Sequence, residues 1–191
     1  MKILLLFLSA IVTVGSIIPY LRDIVRGITK PNLVSWITWT LITGIATAAE
    51  IAGHEYFTAV FTSAAMLGTA SVVAFGLHHG FVKYTAFDVT CQIAAIAGVI
   101  LWQVFNSPAV GVIASVVIDA IGVLPTIRHA WNKPLEETWS AYAIAGIGGI
   151  LGVIALKTYN TTSLAYPLYI LVINLVLSAL IVARRRITPV I

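Results

Sequence analysis

Long apolar stretches separated by short polar clusters dominate the chain. Cutting at the clusters leaves runs of about 20 apolar residues, the length of a helix that crosses a bilayer core. The pattern predicts seven helices, at residues 3–21, 33–53, 57–77, 87–106, 108–127, 138–156 and 164–184. The weakest division is between the fourth and fifth helices, where only Asn106, Ser107 and Pro108 interrupt the run. Pro108 suits a first helical turn, and the whole run is too long for one helix.

Composition points to lipid as the solvent of most of the chain. Hydrophobic residues make up 60% and charged residues 9% of the sequence, whereas a soluble domain carries about 25% charged residues. We therefore predict an all-α membrane protein. The lone cysteine, Cys91, cannot form an internal disulfide and does not indicate a redox compartment.

Positive charge is strongly biased toward one side of the predicted membrane protein. With seven helices, nine basic residues fall on the side of the first, third and fifth loops and the C-terminus, and two on the other. This predicts the N-terminus outside and the C-terminus inside, in the cytoplasmic membrane. The net charge of +4 then reflects topology and gives no indication of nucleic-acid binding. The nine residues are Arg22, Arg26, Lys30, Lys83, Arg128, Lys133, Arg184, Arg185 and Arg186, against Lys2 and Lys157.

The first apolar stretch has a second interpretation. Residues 1–16 could be a signal peptide with Lys2 as its basic region and a cleavage point near Gly15 or Ser16. An A-x-A cleavage motif is absent from this stretch, and cleavage would remove part of the repeated unit described next.

Two stretches of the sequence resemble each other. "PYLRDIVRGITKPNLVSWITW", residues 19–39, aligns with "PTIRHAWNKPLEETWSAY", residues 125–142, with one gap. The matching pairs are Pro19 with Pro125, Arg22 with Arg128, Lys30-Pro31 with Lys133-Pro134, Trp36 with Trp139, and more loosely Ser35 with Thr138 and Trp39 with Tyr142. Four predicted helices separate the copies, and an even offset preserves orientation. The sequence thus predicts a triple-helix unit at 1–80, a connecting helix at 81–107 and a second, parallel triple-helix unit at 108–191.

The 3+1+3 plan and the two Pro-x-x-Arg…Lys-Pro…Ser/Thr-Trp stretches resemble the PQ-loop superfamily, which includes the MtN3/SWEET sugar transporters. The resemblance covers nearly the whole chain by topology, and by motif only the two stretches. The Pro-Gln of that family is Pro19-Tyr20 in one copy and Pro125-Thr126 in the other. The resemblance implies transport of a small polar metabolite, with sugars and amino acids as first expectations, and leaves the substrate open.

The repeated residues have candidate mechanical roles. Pro19 and Pro125 are predicted hinges between inward-open and outward-open states, or else simple helix terminators. The basic residues of the two stretches are expected at lipid headgroups. A cytosolic gate is the alternative, in which Arg22 and Arg128 pair with acidic residues. The predicted gate or loop residues are Arg22, Asp23, Arg26, Arg128, Glu136 and Glu137.

Polar and aromatic residues at membrane depth give the candidate substrate pathway. Asp119 lies far from either end of its helix, where an ionisable group is costly and indicates a function such as proton coupling. Its structural alternative is a hydrogen bond to Ser or Thr, or a pairing with Arg128. Asn174 could bind a polar solute or join helices. By repeat position its counterpart is near Ser71 or Thr69, and Trp36, Trp39 and Trp139 either wall the cavity or form an interfacial belt.

The sequence favours a transporter or facilitator that works by alternating access, with lipid, a small polar solute and possible protons as partners. Seven helices suffice for a pathway, so a monomer is enough, and a homo-oligomer remains open. The alternative is a non-transporting receptor or assembly factor of the same architecture. An enzyme is not expected, because Ser/His, Gly-x-Gly-Asp and His-Glu-x-x-His motifs are absent from membrane depth. No cofactor or metal is expected, since adjacent His78 and His79 are poor joint ligands.

Overall fold

The computed structural model describes residues 1–52, 54, 56–81, 84–102, 108–156, 159 and 161–188. In this part of the chain every regular element is helical, as predicted. The elements are α1 Lys2–Gly15, α2 Ile17–Val25, α3 Leu33–Ala52, α4 Tyr56–His78, α5 Ala86–Trp102, α6 Pro108–Asn132, a 3-10 helix at Pro134–Glu136, α7 Trp139–Ala155 and α8 Thr161–Ile187. Four residues named above, Lys83, Asn106, Ser107 and Lys157, lie outside the described residues.

The predicted first helix is interrupted at Ser16, between α1 and α2. Proline has no backbone N–H, so Pro19 cannot bond to the carbonyl four residues earlier, at Gly15. The helix breaks at this missing bond. Counting α1 and α2 as one interrupted helix, the described residues form seven α-helices and the short 3-10 turn.

The sixth helix runs past its proline. The sequence predicts an end at residue 127, but α6 continues through a fully buried Pro125 to Asn132. It ends just before Lys133-Pro134, where the residue ahead of a proline is pushed out of helical geometry. The 3-10 turn at Pro134–Glu136 then leads into α7.

Within the part of the chain that the structure describes, three segments are long and apolar enough to cross a membrane: Lys2–Val25, Ile113–Asn132 and Leu164–Ile187. Four further apolar helices are shorter: Leu33–Ala48, Thr62–His78, Ala86–Ile100 and Trp139–Ala155. Large aliphatic side chains also cover the outside of the bundle, with Ile18 70% and Leu67 62% exposed. An apolar exterior of this kind is what a lipid-embedded helical protein presents.

The helices pack in two similar groups, and further contacts join the two groups. Helix α4 packs against α3 and also against α1 and α2, while α8 packs against α7 and α6. Between these groups, α1 packs on α7 and α3 packs on α6. Helix α5 lies against α6 and α3.

Glycines allow α7 to approach its neighbours closely. A Cβ atom added at Gly148 would lie 2.2 Å from Oγ1 of Thr13 on α1. A Cβ atom added at Gly149 would lie 2.9 Å from Cα of Leu171 on α8. Small residues at such crossings permit the backbone contact that holds apolar helices together in lipid.

The two ends of the bundle differ in charge. At one end, called the basic end below, described residues of three connections meet the end of α8: residues 26–32, 79–81 with 84–85, 133–138 and 184–188. Lys30 bonds Glu136, Arg128 bonds Thr85, and Arg185 bonds the carbonyl of Pro134. At the opposite end, Lys2 donates to the carbonyl of Leu156. The N-terminus and the end of α8 therefore lie at opposite ends of the bundle.

Candidate functional site

A cavity of about 210 Å³ lies inside the bundle. Residues of α1, α2, α3, α4, α6, α7 and α8 line it, and α5 contributes none of the described lining. Both groups of helices thus line one space.

The cavity brings five of the seven predicted pathway residues together: Asp119, Asn174, Thr69, Trp36 and Trp39. The other two lie elsewhere. The hydroxyl of Ser71 donates to the carbonyl of Leu67 in its own helix, and Trp139 is 42% exposed beside Arg185 and Arg186 on the outside of the basic end.

Asp119 is buried at the cavity wall, with 5% of its surface exposed. The Tyr169 hydroxyl donates to its Oδ2 across 2.7 Å, and Trp39 lines the same cavity. Arg128 has a different environment, since it donates to Thr85 and lies over the Phe87 ring. The carboxyl is therefore held by an aromatic donor from α8.

Asn174 is fixed by its own helix. Its amide nitrogen donates to the carbonyl of Ile170 across 2.8 Å. Three of the cavity hydroxyls behave alike: Thr43 donates to the carbonyl of Trp39, Thr69 to that of Met66 and Ser16 to that of Thr13. These local bonds use the hydroxyl protons within the helices.

Aromatic rings cluster toward the basic end of the cavity, and this part of its lining is called the cavity floor below. The ring centroids of Tyr20 and Trp36 are 4.7 Å apart, and Trp36 meets Trp39 edge-to-face at 5.0 Å. Tyr20 also meets Tyr142 edge-to-face at 6.0 Å. These edge-to-face arrangements are the ones that aromatic quadrupoles favour.

A fully buried carboxyl, Glu137, lies behind these rings. Its Oε2 accepts hydrogen bonds from the Tyr20 hydroxyl at 2.9 Å and from the Tyr142 hydroxyl at 3.1 Å. The Trp36 indole donates to the Tyr20 hydroxyl at 3.3 Å, and Arg185 donates to the Glu137 backbone carbonyl at 2.6 Å. Glu137 thus joins the cavity floor to the basic end.

Burial determines the protonation of Glu137. It raises the pKa of the carboxyl from 4.5 to about 8, against the opposing effect of the two tyrosine bonds. The side chain is therefore mainly neutral at pH 7. Its Oε1 has no hydrogen-bond partner within the described chain, nor does His129 Nε2, which lies 4.0 Å away. A proton on Oε1 would face that nitrogen.

The two repeated stretches contact each other at the basic end. Lys30 bonds Glu136 at 2.9 Å, and Lys133 lies 3.4 Å from the same carboxylate. Burial alone would raise the pKa of Glu136, but the two lysines outweigh it and lower that pKa. Thr29 and Thr138 lie 2.5 Å apart across the stretches, and Thr138 donates to Asp23.

Among the predicted gate residues, Arg22 forms its ion pair with Asp23, its neighbour in sequence, at 3.0 Å. Arg26 is exposed to solvent. Glu136 lies with Lys30 and Lys133, whereas Arg128 points to Thr85. Lys30, which the sequence analysis assigned to lipid headgroups, makes the ion pair between the two copies, whereas Lys133 contacts Glu136 within the second copy.

The two predicted hinge prolines lie at different places relative to the helix ends. Pro19 is inside α2, three residues after the interruption at Ser16, and Pro125 is inside α6. Ser16 lines the cavity, so the break lies at cavity level.

Sequence reasoning did not select three residues of the floor and wall, namely Tyr20, Tyr142 and Tyr169. Tyr142 could have been found, because it aligns with Trp39 in the repeat. Tyr169 offers no local signal, since its contact with Asp119 depends on how α8 packs against α6.

The fold and cavity define a helical protein with an apolar exterior and a cavity in the bundle that contains a buried carboxyl group. Among the described residues, no three His, Cys, Asp or Glu side chains are grouped so as to hold a metal. No protein-family model, curated protein or solved structure matches the chain.

Proposed function

We propose that the protein is a multi-pass membrane transporter or facilitator that moves a small polar solute by alternating access, with proton coupling at Asp119. The observation that carries the proposal is the cavity inside the bundle, in which Asp119 and Asn174 line one space between the two groups of helices. An ionisable side chain inside an apolar bundle is costly and by default marks a functional site.

Helix packing supports the 3+1+3 plan with seven membrane crossings, N-terminus out and C-terminus in. In each proposed triplet the third helix packs on the other two: α4 on α1, α2 and α3, and α8 on α6 and α7. Exchanging the triplets turns the α1–α7 contact into the α6–α3 contact, and both occur. A parallel duplication has this property.

The basic end is the closed side in this conformation. The contacts Tyr20–Glu137, Lys30–Glu136 and Thr29–Thr138 each join one repeated stretch to the other. Because the stretches belong to different triplets, separating the triplets would break these contacts and open the cavity there. Alternating access requires a closure of this kind that can be reversed.

The cavity volume limits the solute. Pockets for drug-sized ligands measure roughly 300–1,000 Å³, whereas this cavity measures about 210 Å³. A solute the size of a monosaccharide or a small amine fits this limit, and a disaccharide does not.

The test is uptake of a panel of small radiolabelled solutes into proteoliposomes, with and without a pH gradient. We expect at least one solute to accumulate, and Asp119→Asn to abolish the effect of the pH gradient. Asn174→Ala should slow uptake. The matched control is Asp88→Asn, which removes a buried carboxylate of α5 that does not line the cavity.

Two results would contradict the proposal. One is that none of the solutes moves through correctly folded protein. The other is that uptake occurs and neither Asp119→Asn nor Asn174→Ala changes it, because the cavity would then not be the pathway.

A further inference from the structure

The described lining of the cavity contains one acidic side chain and no basic one. The acidic residue is Asp119, and none of the described lining residues is Lys, Arg or His. Glu137 lies directly behind the floor. A carboxylate in apolar surroundings is stable only with a positive partner or with its proton.

The aromatic lining attracts the same sign of charge. Five aromatic residues line the space: Tyr20, Trp36, Trp39, Tyr142 and Tyr166. Their faces carry negative electrostatic potential, and several such rings around one space bind ammonium groups through cation–π interactions.

We infer that the cavity binds a small organic cation, with an ammonium group beside Asp119 and aromatic rings around its alkyl substituents. The inference rests on the proposed function, in which this cavity holds the transported solute, and it names the chemical class of that solute.

The lining disfavours the two solute classes expected from the family resemblance. An amino acid would bring a carboxylate into a space whose described lining holds no cationic side chain, and burying an unpaired anion is costly. A sugar has many hydroxyl groups to satisfy. Three lining hydroxyls, those of Ser16, Thr43 and Thr69, already donate to carbonyls of their own helices and are not free to donate to it.

Size agrees with a small cation. The space of about 210 Å³ is many times the roughly 10–15 Å³ that a cavity needs to hold one water molecule. A quaternary ammonium ion with a handful of carbon atoms fits this space.

Binding to the purified full-length protein in lipid nanodiscs provides the test. The probes are choline, which carries a permanent charge, and its uncharged isostere 3,3-dimethylbutan-1-ol. Calorimetry should show choline binding at least tenfold more tightly than the isostere. Because choline has no ammonium proton to release, its binding separates cation recognition from simple protonation of Asp119.

Substitutions of residues that line the cavity test whether choline binds there. Asp119→Asn should weaken choline binding at least tenfold, and Trp39→Leu should weaken it severalfold by removing one ring. Asp88→Asn is the control and should bind choline as the wild type does. If Asp119→Asn fails to fold, Trp39→Leu and the isostere comparison still decide the question.

Equal binding of choline and its isostere would overturn the inference, as would choline binding that survives Asp119→Asn. Tighter binding of glucose or glutamate would overturn it as well. If another solute is taken up and choline does not bind, the cation inference is wrong and the transport proposal still holds. Choline binding without uptake of choline or any panel solute keeps the cation site and removes the transport proposal.

Discussion

The hydroxyl of Tyr20 donates a hydrogen bond to the buried carboxyl of Glu137, which lies 117 positions away in the chain. This bond joins the two similar stretches of the sequence and forms part of the cavity floor. Its acceptor is a carboxyl group with a raised pKa, so the floor should respond to pH.

The stability of the protein should fall as pH rises, because of Glu137. The pKa of this group is about 8 in the folded protein, against an ordinary value of 4.5. Its contribution is complete below about pH 4.5. Between that pH and about 8 the unfolded chain releases a proton that the folded protein retains, so the free energy of unfolding declines. Each unit of pKa difference is worth about 1.4 kcal/mol, which makes the loss a few kcal/mol at most.

Glu137→Gln should remove this decline, because the amide is neutral at every pH. Melting curves in detergent between pH 5 and pH 9 should match the wild type at the acidic end and exceed it at the alkaline end. Glu136→Gln is the control, since the pKa of Glu136 is lowered and its titration lies below this range. An unchanged slope in Glu137→Gln would contradict the assigned role.

Gly148→Ala should destabilise the protein by about 1–3 kcal/mol, because the new methyl group would overpack α7 against Thr13. The matched control is Gly15→Ala. A Cβ atom there meets nothing within 4 Å, so its stability should be unchanged or should rise by up to about 1 kcal/mol. Chemical unfolding in detergent measures both. Equal losses would show that α1 and α7 do not pack as described.

Tyr169→Phe should weaken solute binding about 10- to 100-fold. The substitution removes the hydroxyl that bonds Asp119 at 2.7 Å, and hydrogen bonds to charged groups contribute about 1.5–3 kcal/mol. Tyr84→Phe removes a hydroxyl from a side chain that is 65% exposed and should bind normally. The measurement is calorimetric titration with whichever solute the uptake panel identifies. Wild-type affinity in Tyr169→Phe would mean that the orientation of Asp119 does not matter.

The proposed membrane topology predicts a labelling pattern. In a Cys91→Ser background, Arg26→Cys and Lys133→Cys should react with a membrane-impermeant maleimide from the same side of sealed vesicles. Tyr159→Cys, near the opposite end of the bundle, should react only from the other side. All three positions are exposed. Opposite labelling of residues 26 and 133 would exclude a parallel duplication.

The helices were largely predictable, because runs of apolar residues and prolines are local signals. Leu33–Ala52 and Trp139–Ala155 lie within two residues of their predicted bounds. The exceptions are at prolines. Pro19 breaks its helix at Ser16, and Pro125 leaves α6 intact. Whether a proline interrupts a helix depends on the packing around it, which the sequence does not contain.

The candidate site was only partly predictable. Asp119 and Asn174 are conspicuous in the sequence, because each is a polar residue within a long apolar run. Glu137 looks like an ordinary loop charge in the sequence, and only the packing of Tyr20, Tyr142 and Arg185 around it makes it a buried group. Contacts between residues a hundred positions apart carry no local signature.

The interruption at Ser16 divides the first pass into parts with different attachments. Helix α1 is fastened to α7 by the glycine crossing at Gly148, whereas α2 lies mainly against α4. A tilt of α2 about Ser16 would carry Tyr20 away from Glu137 while the glycine crossing stays in place. Of the three contacts that join the repeated stretches, Tyr20–Glu137 could therefore be released by moving less than half of one helix, whereas Lys30–Glu136 and Thr29–Thr138 lie beyond α2.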